Sequence, residues 1–372
     1  MAVRWLAGRL VLDDEVMPGR LAVDDGIIAA VQPDAGHADG PYLLPGFVDV
    51  HVHGWGGHDA MGGRQALDGM SRTLLRRGVT SFLPTGVTSA LPDLVRFAET
   101  VRAWMPEAPD DGAQPLGFDI EGPFISQAKR GAHPPALVRD RVDVPLADLE
   151  PLVDGLRIMT VAPEIPGGLE LIAWLAARGV RVSIGHSAAT LDEARAGYAA
   201  GGRTTTHLFN GMSGVDHRAP GLAVVALTDD KVFVELIADG HHVHEAVWDL
   251  IRRAKPVDRL ILVSDALSLS GTGPGRTMVG ATDVEVLEDR AVVAGTTTLA
   301  GSVVALDGMF RNLVRSGASL PAASRAASAN PLALLDVADR GRLAPGLRAD
   351  ILEMDDDLVV RRVMRGGVWV QA

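Results

Sequence analysis

The chain has 372 residues, of which 47% are apolar and 22% are charged, a composition typical of a folded α/β enzyme rather than of a disordered chain. Asp and Glu number 47 against 35 Lys and Arg, and the formal net charge of −12 argues against a nucleic-acid-binding protein, which needs a basic face. The chain has no Cys, which excludes disulfides, thiolate zinc sites and thiol catalysis and agrees with an expected cytoplasmic location. We also expect neither a signal peptide nor a contact with the membrane, because no apolar run is long enough.

The two ends of the chain have the same pattern of short apolar runs separated by turn residues, among them Pro18-Gly19 and Gly366-Gly367. Such runs predict strands. Because strands from both termini can share one sheet, we predict a small discontinuous β-sandwich domain made of residues 1–45 and 338–372. The predicted strand runs are 3–12, 21–31, 349–354, 358–364 and 368–370.

The middle of the chain, residues 46–337, alternates short apolar runs with helical patterns, which predicts a (β/α)8 TIM-type barrel. An open doubly wound sheet is the alternative. Insertions near 122–149 and 267–298 break the rhythm, and long insertions at strand ends of a barrel usually form lids or partner contacts. The eight predicted strands are 47–52, 79–83, 116–120, 157–161, 181–184, 203–206, 232–237 and 260–263, and the predicted helices include 65–77, 92–104, 168–178 and 191–200.

A pair of histidines, His51 and His53, closes the first predicted strand. Residues i and i+2 of a strand face the same side, so both imidazoles can converge on one metal ion. A polar strand end is the alternative explanation for this short motif.

Further potential metal ligands fall at the carboxyl ends of later predicted strands, where barrel enzymes place their catalytic groups. They are Glu121, His186, His207 and Asp265. Buried imidazoles and carboxylates need partners, and a metal ion supplies one. These residues therefore predict a metal-dependent hydrolase.

Metal-dependent hydrolysis needs these residue types. A divalent ion polarises the bond that is cleaved and lowers the pKa of its water, and a carboxylate can move the proton from that water to the leaving group. Apart from Glu121, Asp265 is the strand-end carboxylate that we place near the metal, so we expect it to be the general acid/base.

Several segments, in this order, resemble the N-acetylglucosamine-6-phosphate deacetylases of the amidohydrolase superfamily. The opening strand is similar to that of the superfamily, and residues 346–351 are typical of its closing segment. The segments with the more specific resemblance are 121–124, 129–133, 185–190, 206–212, 237–243 and 263–266.

The resemblance implies that Glu121, His186 and His207 bind the principal divalent metal, that Asp265 is the general acid/base and that His133 polarises the acetyl carbonyl. Because His51 and His53 are both retained, it also permits a second metal bridged by Glu121. Zinc is the expected metal, with Fe, Mn and Co as alternatives. The implied contacts with a sugar phosphate, including one from Arg218 across a homodimer interface, are Ala132, His133, Asn210, Gly211, Arg218, His242, Leu299, Ala300 and Gly301.

The resemblance predicts hydrolysis of the acetamide of N-acetylglucosamine 6-phosphate. Three alternatives remain open. The first is the N-acetylgalactosamine 6-phosphate deacetylase, and the second is another amidase of the superfamily, although the fourth predicted strand lacks the Lys that those often carry. The third is a sugar-phosphate sensor without turnover, against which the presence of Asp265 argues. A solvated surface role is the alternative for Arg218, and a basic surface loop for the segment around His133.

Overall fold

The computed structural model describes residues 3–370, and its secondary structure alternates strands with helices through the middle of the chain. The strands are β1 (Arg4–Val11), β2 (Val16–Asp24), β3 (Ile27–Pro33), β4 (Tyr42–Pro45), β5 (Phe47–Val52), β6 (Gly54–Trp55), β7 (His58–Asp59), β8 (Val79–Val87), β9 (Gln114–Pro115), β10 (Phe118–Glu121), β11 (Leu156–Val161), β12 (Arg181–Ile184), β13 (Gly202–Thr205), β14 (Phe233–Leu236), β15 (Leu260–Leu262), β16 (Gly275–Val279), β17 (Thr282–Val286), β18 (Ala291–Val293), β19 (Ile351–Met354), β20 (Val360–Arg365) and β21 (Val368–Val370). The α-helices are α1 (Arg64–Leu75), α2 (Leu91–Trp104), α3 (Leu146–Val153), α4 (Gly168–Ala176), α5 (Leu191–Ala199), α6 (Leu222–Thr228), α7 (Glu245–Ala254), α8 (Leu306–Arg315), α9 (Leu320–Ala327) and α10 (Ala329–Leu334).

The chain ends form one seven-stranded sheet in the order β21-β20-β19-β4-β1-β2-β3. It is antiparallel except where β1 pairs with β4, and it encloses a hydrophobic cluster of its own that includes Leu10, Leu21 and Met364. Residues from both termini therefore build a separate β unit beside the middle of the chain, as the repeated strand pattern predicted.

Pro18-Gly19, predicted as a turn, lies inside β2 instead. A Cβ added at Gly19 would lie 2.6 Å from the carbonyl oxygen of Gln32, so glycine allows the neighbouring strand to approach closely. The turn lies earlier, where the backbone N–H of Leu12 donates to the carbonyl of Glu15 over 2.9 Å.

Eight parallel strands form the middle of the chain in the order β15-β14-β13-β12-β11-β10-β8-β5. The ring is completed by the backbone N–H of Asp265, which donates to the carbonyl of His51 over 2.9 Å. The strands are buried almost throughout, as expected for a parallel sheet covered on both faces. The predicted TIM-type barrel is confirmed, and the alternative of an open doubly wound sheet is wrong.

The helices between the strands cover the outside of the barrel with apolar faces. Helix α2, for example, buries Leu94, Phe97 and Val101 at helical spacing. Helix α5 starts at a capping box, in which Thr190 accepts from the backbone N–H of Glu193 and the Glu193 side chain accepts from that of Thr190. In residues 3–370, no helix combines the length and the apolar character that crossing a membrane requires.

Two insertions meet beside the barrel mouth. The first runs from the end of β10 to α3, and the second contains β16, β17 and β18, a small antiparallel sheet with its own apolar cluster around Val284 and Ala291. The hydroxyl of Thr282 in the second insertion donates to the carbonyl of Ala132 in the first over 2.7 Å. The two insertions therefore support each other next to the strand ends.

Candidate metal centre

The predicted ligands lie at one mouth of the barrel because the carboxyl ends of parallel strands meet there. His51 belongs to β5 and His53 follows it, Glu121 is the last residue of β10, and His186, His207 and Asp265 come shortly after β12, β13 and β15. All six side chains are buried, although every one can carry charge.

Three of these residues have backbone angles that non-glycine residues rarely adopt. The φ angle is 44° at His186, 25° at His207 and 48° at Asp265. A left-handed conformation costs roughly 1–2 kcal/mol for a residue with a Cβ atom. Such strain is typical of functional sites, where the surrounding structure holds the residue in place.

The Glu121 carboxylate lies within 3.3 Å of four imidazoles. Its Oε1 lies 2.8 Å from Nε2 of His207 and 3.0 Å from Nε2 of His186. Its Oε2 lies 3.2 Å from Nε2 of His53 and 3.3 Å from Nε2 of His133. Each ring therefore turns the same nitrogen toward one carboxylate.

The outer nitrogens of three of the rings bind to the protein. Nδ1 of His186 lies 2.7 Å from the carbonyl of Lys129, and Nδ1 of His53 lies 3.1 Å from that of Thr85. Nδ1 of His51 lies 3.3 Å from Oε2 of Glu235. A proton on Nδ1 leaves the inner Nε2 with a free lone pair, the form in which histidine binds metals.

The inner nitrogens face one another in pairs. Nε2 of His186 lies 3.1 Å from Nε2 of His207, and Nε2 of His51 lies 3.3 Å from Nε2 of His53. Two such nitrogens stay this close only when positive charge, either protons or a metal ion, lies beside them. Two overlapping sets, His51-His53-Glu121 and Glu121-His133-His186, hold their ligand atoms within 4.8 Å of one another. Imidazole and carboxylate are donors that divalent transition ions prefer, so the residues fit a metal.

The charges of this cluster are strongly coupled. Burial would raise the pKa of Glu121, but the rings of His133, His51 and His186 hold it well below its usual value. Burial likewise opposes ionisation of Asp265, yet the hydrogen bond from His53 and the charge of His51 lower its pKa to about 2. Both carboxylates are therefore ionised at neutral pH and need positive charge beside them.

His133 differs from the other rings. Burial and the neighbouring His186 lower its pKa to about 4, so its imidazole is neutral at neutral pH. Its Nδ1, like that of His207, finds no hydrogen-bond partner within residues 3–370. A neutral ring has one N–H to donate and one nitrogen to accept.

Three buried carboxyl groups below the cluster were not predicted. Glu235 accepts from His51 and, over 3.2 Å, from the backbone N–H of His207. Asp49 accepts from the backbone N–H of His51 over 3.4 Å, and burial raises the pKa of Asp119 to about 8. Asp49 and Asp119 precede His51 and Glu121 by two residues, so the strand period could have identified them as inward-facing.

A cavity of about 350 Å³ opens above the cluster. All the predicted site residues line it except His51, which lies deeper, and Arg218. Within its wall, Nδ1 of His242 lies 2.7 Å from Oδ2 of Asp239, and this carboxylate raises the pKa of His242 against the effect of burial. The predicted residues that line the cavity are His53, Glu121, Ala132, His133, His186, His207, Asn210, Gly211, His242, Asp265, Leu299, Ala300 and Gly301.

Arg218 lies apart from this cavity. It is exposed on the loop after β13, and its backbone N–H donates to Asp216 over 2.8 Å. Within one chain, the guanidinium is therefore not part of the cavity wall.

Known proteins match both this geometry and the sequence. The sequence profile of the Amidohydrolase family matches residues 42–370, and the chain belongs to that family. Within it, the chain is 39% identical over 390 residues to the N-acetylglucosamine-6-phosphate deacetylase of Bos taurus, covering 98% of this chain and 91% of the relative. It is also 37% identical over 374 residues to the N-acetylgalactosamine-6-phosphate deacetylase of Escherichia coli O157:H7, covering 97% and 94%.

Solved structures of deacetylases are similar to this chain over nearly its whole length. The N-acetylglucosamine-6-phosphate deacetylase of Thermotoga maritima superposes with a TM-score of 0.92 at 31% identity, covering 99% of both chains. A mutant of the Mycobacterium smegmatis deacetylase, solved in complex with N-acetyl-D-glucosamine-6-phosphate, gives 0.91 at 34% identity, covering 100% of both chains. The resemblance inferred from the sequence motifs is confirmed.

Proposed function

We propose that this chain hydrolyses the acetamide of N-acetylglucosamine 6-phosphate to glucosamine 6-phosphate and acetate. The observation that carries the proposal is the contact of Glu121 with His186 and His207 at the barrel mouth, with Asp265 beside the neighbouring His53. Relatives with this activity in their names match almost the whole chain, which supports the choice of substrate.

Glu121, His186 and His207 would hold the principal divalent ion, and His51 and His53 would hold a second one that shares Glu121. Such an ion polarises a carbonyl and lowers the pKa of water, which amide hydrolysis requires. Zinc is the metal we expect, and Fe, Mn and Co suit the same donors.

Asp265 is the residue that moves the proton. Its low pKa leaves it ionised at neutral pH, so it can accept the proton of the attacking water. As the amide C–N bond breaks, the same carboxyl group delivers that proton to the departing nitrogen. Oδ1 of Asp265 lies 3.3 Å from Nε2 of His53, which keeps the carboxylate beside the ligands.

His133 would orient the acetyl group. Its ring is buried against Glu121 and neutral, so its single N–H can donate to the carbonyl oxygen as negative charge develops there. The first insertion, which carries Ala132 and His133, would thereby act directly on the substrate.

The sugar phosphate would lie along the remaining cavity wall. Asn210, Gly211 and His242 would bind the phosphate end, and Leu299, Ala300 and Gly301 would line the sugar. The Asp239 carboxylate favours the charged imidazole of His242, which attracts an anion in an acidic protein.

Arg218 would complete the phosphate site from a neighbouring subunit. Its exposure in the single chain supports this arrangement, because a guanidinium on an outward loop is free to reach a second copy. We therefore propose a cytoplasmic homodimer that acts on a small sugar phosphate and binds neither nucleic acid nor membrane.

The galacto epimer is the second candidate, because a relative named for it covers nearly the whole chain. The test compares acetate release from the two phosphorylated sugars and from unphosphorylated N-acetylglucosamine. The proposal expects the gluco phosphate to give the highest kcat/KM and the sugar without phosphate to react far more slowly. A higher kcat/KM for N-acetylgalactosamine 6-phosphate would show that this sugar is the substrate. Equal rates with and without phosphate would overturn the proposed phosphate site. If the metal-loaded protein binds the sugar without releasing acetate, the chain is a sensor.

A further inference from the structure

A second cavity of about 500 Å³ lies directly beside the first. The two share part of their walls, namely His53, Val87, Leu267 and Val279. None of the steps proposed above uses this second cavity, which we call the side cavity.

The order of the barrel strands places the side cavity across the metal centre from the proposed phosphate end. Val87 ends β8, the second strand of the barrel, whereas Asn210 and Gly211 follow β13, the sixth strand. In an eight-stranded barrel, the second and sixth strands lie opposite each other. A substrate with its phosphate on the sixth-strand side and its carbonyl at the centre therefore points its acyl carbon chain toward Val87.

Three of the four residues that the two cavities share are apolar, and the fourth is His53. Val87 and Leu267 are buried, and Val279 comes from β16 in the second insertion. The turn after β16 rests on the barrel, since a Cβ added at Gly280 would lie 3.2 Å from both the carbonyl oxygen of Thr88 and a methyl group of Val87. An alkyl group at this place would meet apolar contacts.

Beyond the four shared residues, the walls of the side cavity carry net negative charge. Its walls include the carboxylates of Asp59 and Asp93 and the guanidinium of Arg96. Arg96 already pairs with Asp93, and the half-buried Asp59 accepts from the backbone N–H of Met61 over 2.8 Å. This charge balance disfavours an anionic chain and tolerates a neutral one.

We propose that the side cavity receives the acyl chain of the substrate, so that the protein removes neutral N-acyl groups longer than acetyl, such as propionyl and butyryl, from glucosamine 6-phosphate. This inference rests on the proposed deacetylase function. In each case water attacks the amide carbonyl, the C–N bond breaks, and the products are the free carboxylate and the protonated amine of the sugar phosphate.

The test measures kcat/KM for the N-acetyl, N-propionyl, N-butyryl and N-succinyl derivatives of glucosamine 6-phosphate. We expect the propionyl and butyryl substrates to react within 10-fold of the acetyl substrate and the anionic succinyl substrate to react at least 100-fold more slowly. The acetyl substrate separates the two hypotheses. Failure to hydrolyse it contradicts the proposed function, whereas hydrolysis of acetyl with a 100-fold loss for propionyl and butyryl contradicts the acyl site alone.

A variant that fills the side cavity gives a second test. Ala281 lines the side cavity and lies outside the first one. Ala281→Trp should lower kcat/KM for the butyryl substrate at least 10-fold and leave the acetyl substrate within 2-fold of wild type. The matched control, Arg276→Trp, lies on the same small sheet with its side chain mostly exposed and should change neither value. Equal losses for both substrates in Ala281→Trp would overturn the proposal. If this variant does not fold, the kcat/KM values of the wild-type protein for the acyl series still test the proposal.

Discussion

Oε1 of Glu121 lies 2.8 Å from Nε2 of His207, although 86 positions separate these residues in the sequence. The barrel produces this contact, because β10 and β13 are parallel and both end at the same mouth. The carboxylate also contacts His186, His53 and His133, so the loss of Glu121 would leave a group of buried imidazoles without a counter-charge.

Replacing Asp265 by Asn tests the proton-transfer role. The amide keeps the shape of the side chain but cannot accept the proton of the attacking water. We expect kcat to fall roughly 10²- to 10⁴-fold, the range that general acid–base catalysis contributes. The measurement is acetate release together with bound metal, which should stay near the wild-type amount. A variant that retains both its metal and the wild-type rate would remove Asp265 from the mechanism.

Glu235→Gln tests how the ligands are oriented. Glu235 accepts from Nδ1 of His51 and from the backbone N–H of His207, and the uncharged amide would weaken both contacts. We expect metal affinity to fall roughly 10- to 100-fold, as for other groups that bind the outer nitrogen of a ligand. Equilibrium dialysis against a chelator measures this directly. Glu193→Gln, at the exposed start of α5, is the control and should bind metal like the wild type.

Arg218→Ala tests the phosphate contact across an interface. A charge-assisted hydrogen bond contributes about 1.5–3 kcal/mol, so kcat/KM for the phosphorylated sugar should fall roughly 10- to 100-fold. The slow reaction of the unphosphorylated sugar should not change. Arg195→Ala, an exposed position in α5, provides the comparison. If the two variants behave alike, Arg218 is a surface residue without a role in binding.

Asn330→Ala tests a buried contact on which the barrel depends. Nδ2 of Asn330 donates to the carbonyl oxygens of Val257 over 2.9 Å and Leu260 over 2.7 Å, and thereby joins α10 to the start of β15. Leaving buried carbonyls unpaired costs about 2 kcal/mol, and we expect the free energy of unfolding to fall by that amount. Denaturant titration checks this, with Glu99→Ala on the exposed face of α2 as the neutral control. Equal stability of the two variants would show that the hydrogen bonds of Asn330 do not stabilise the barrel.

The alternation of apolar runs and helical patterns was enough to predict the barrel, since a parallel strand covered on both faces is apolar throughout. The position of the candidate ligands could be predicted for the same reason, because a polar residue at the end of such a run lies at the barrel mouth. His186, His207 and Asp265 all follow this rule.

Other features depend on contacts between distant parts of the chain. Glu235 lies within the apolar strand β14. Its contacts with His51 and His207 could not be predicted, because they form only when β5 and the end of β13 lie beside β14 in the folded barrel. The packing of Gly280 against Val87 requires the second insertion to fold back onto the barrel, which no local pattern indicates. Pro18-Gly19 has the composition of a turn, but the pairing of β2 with β1 and β3 overrides that preference.

We propose that deacetylation requires a divalent ion held by Glu121, His186 and His207. The most direct measurement follows bound metal and acetate release on the same sample, first during dialysis against a chelator and then during titration with the ion. We predict that both fall together and that activity returns in proportion to the metal rebound. Full acetate release from protein stripped of its metal would contradict the claim.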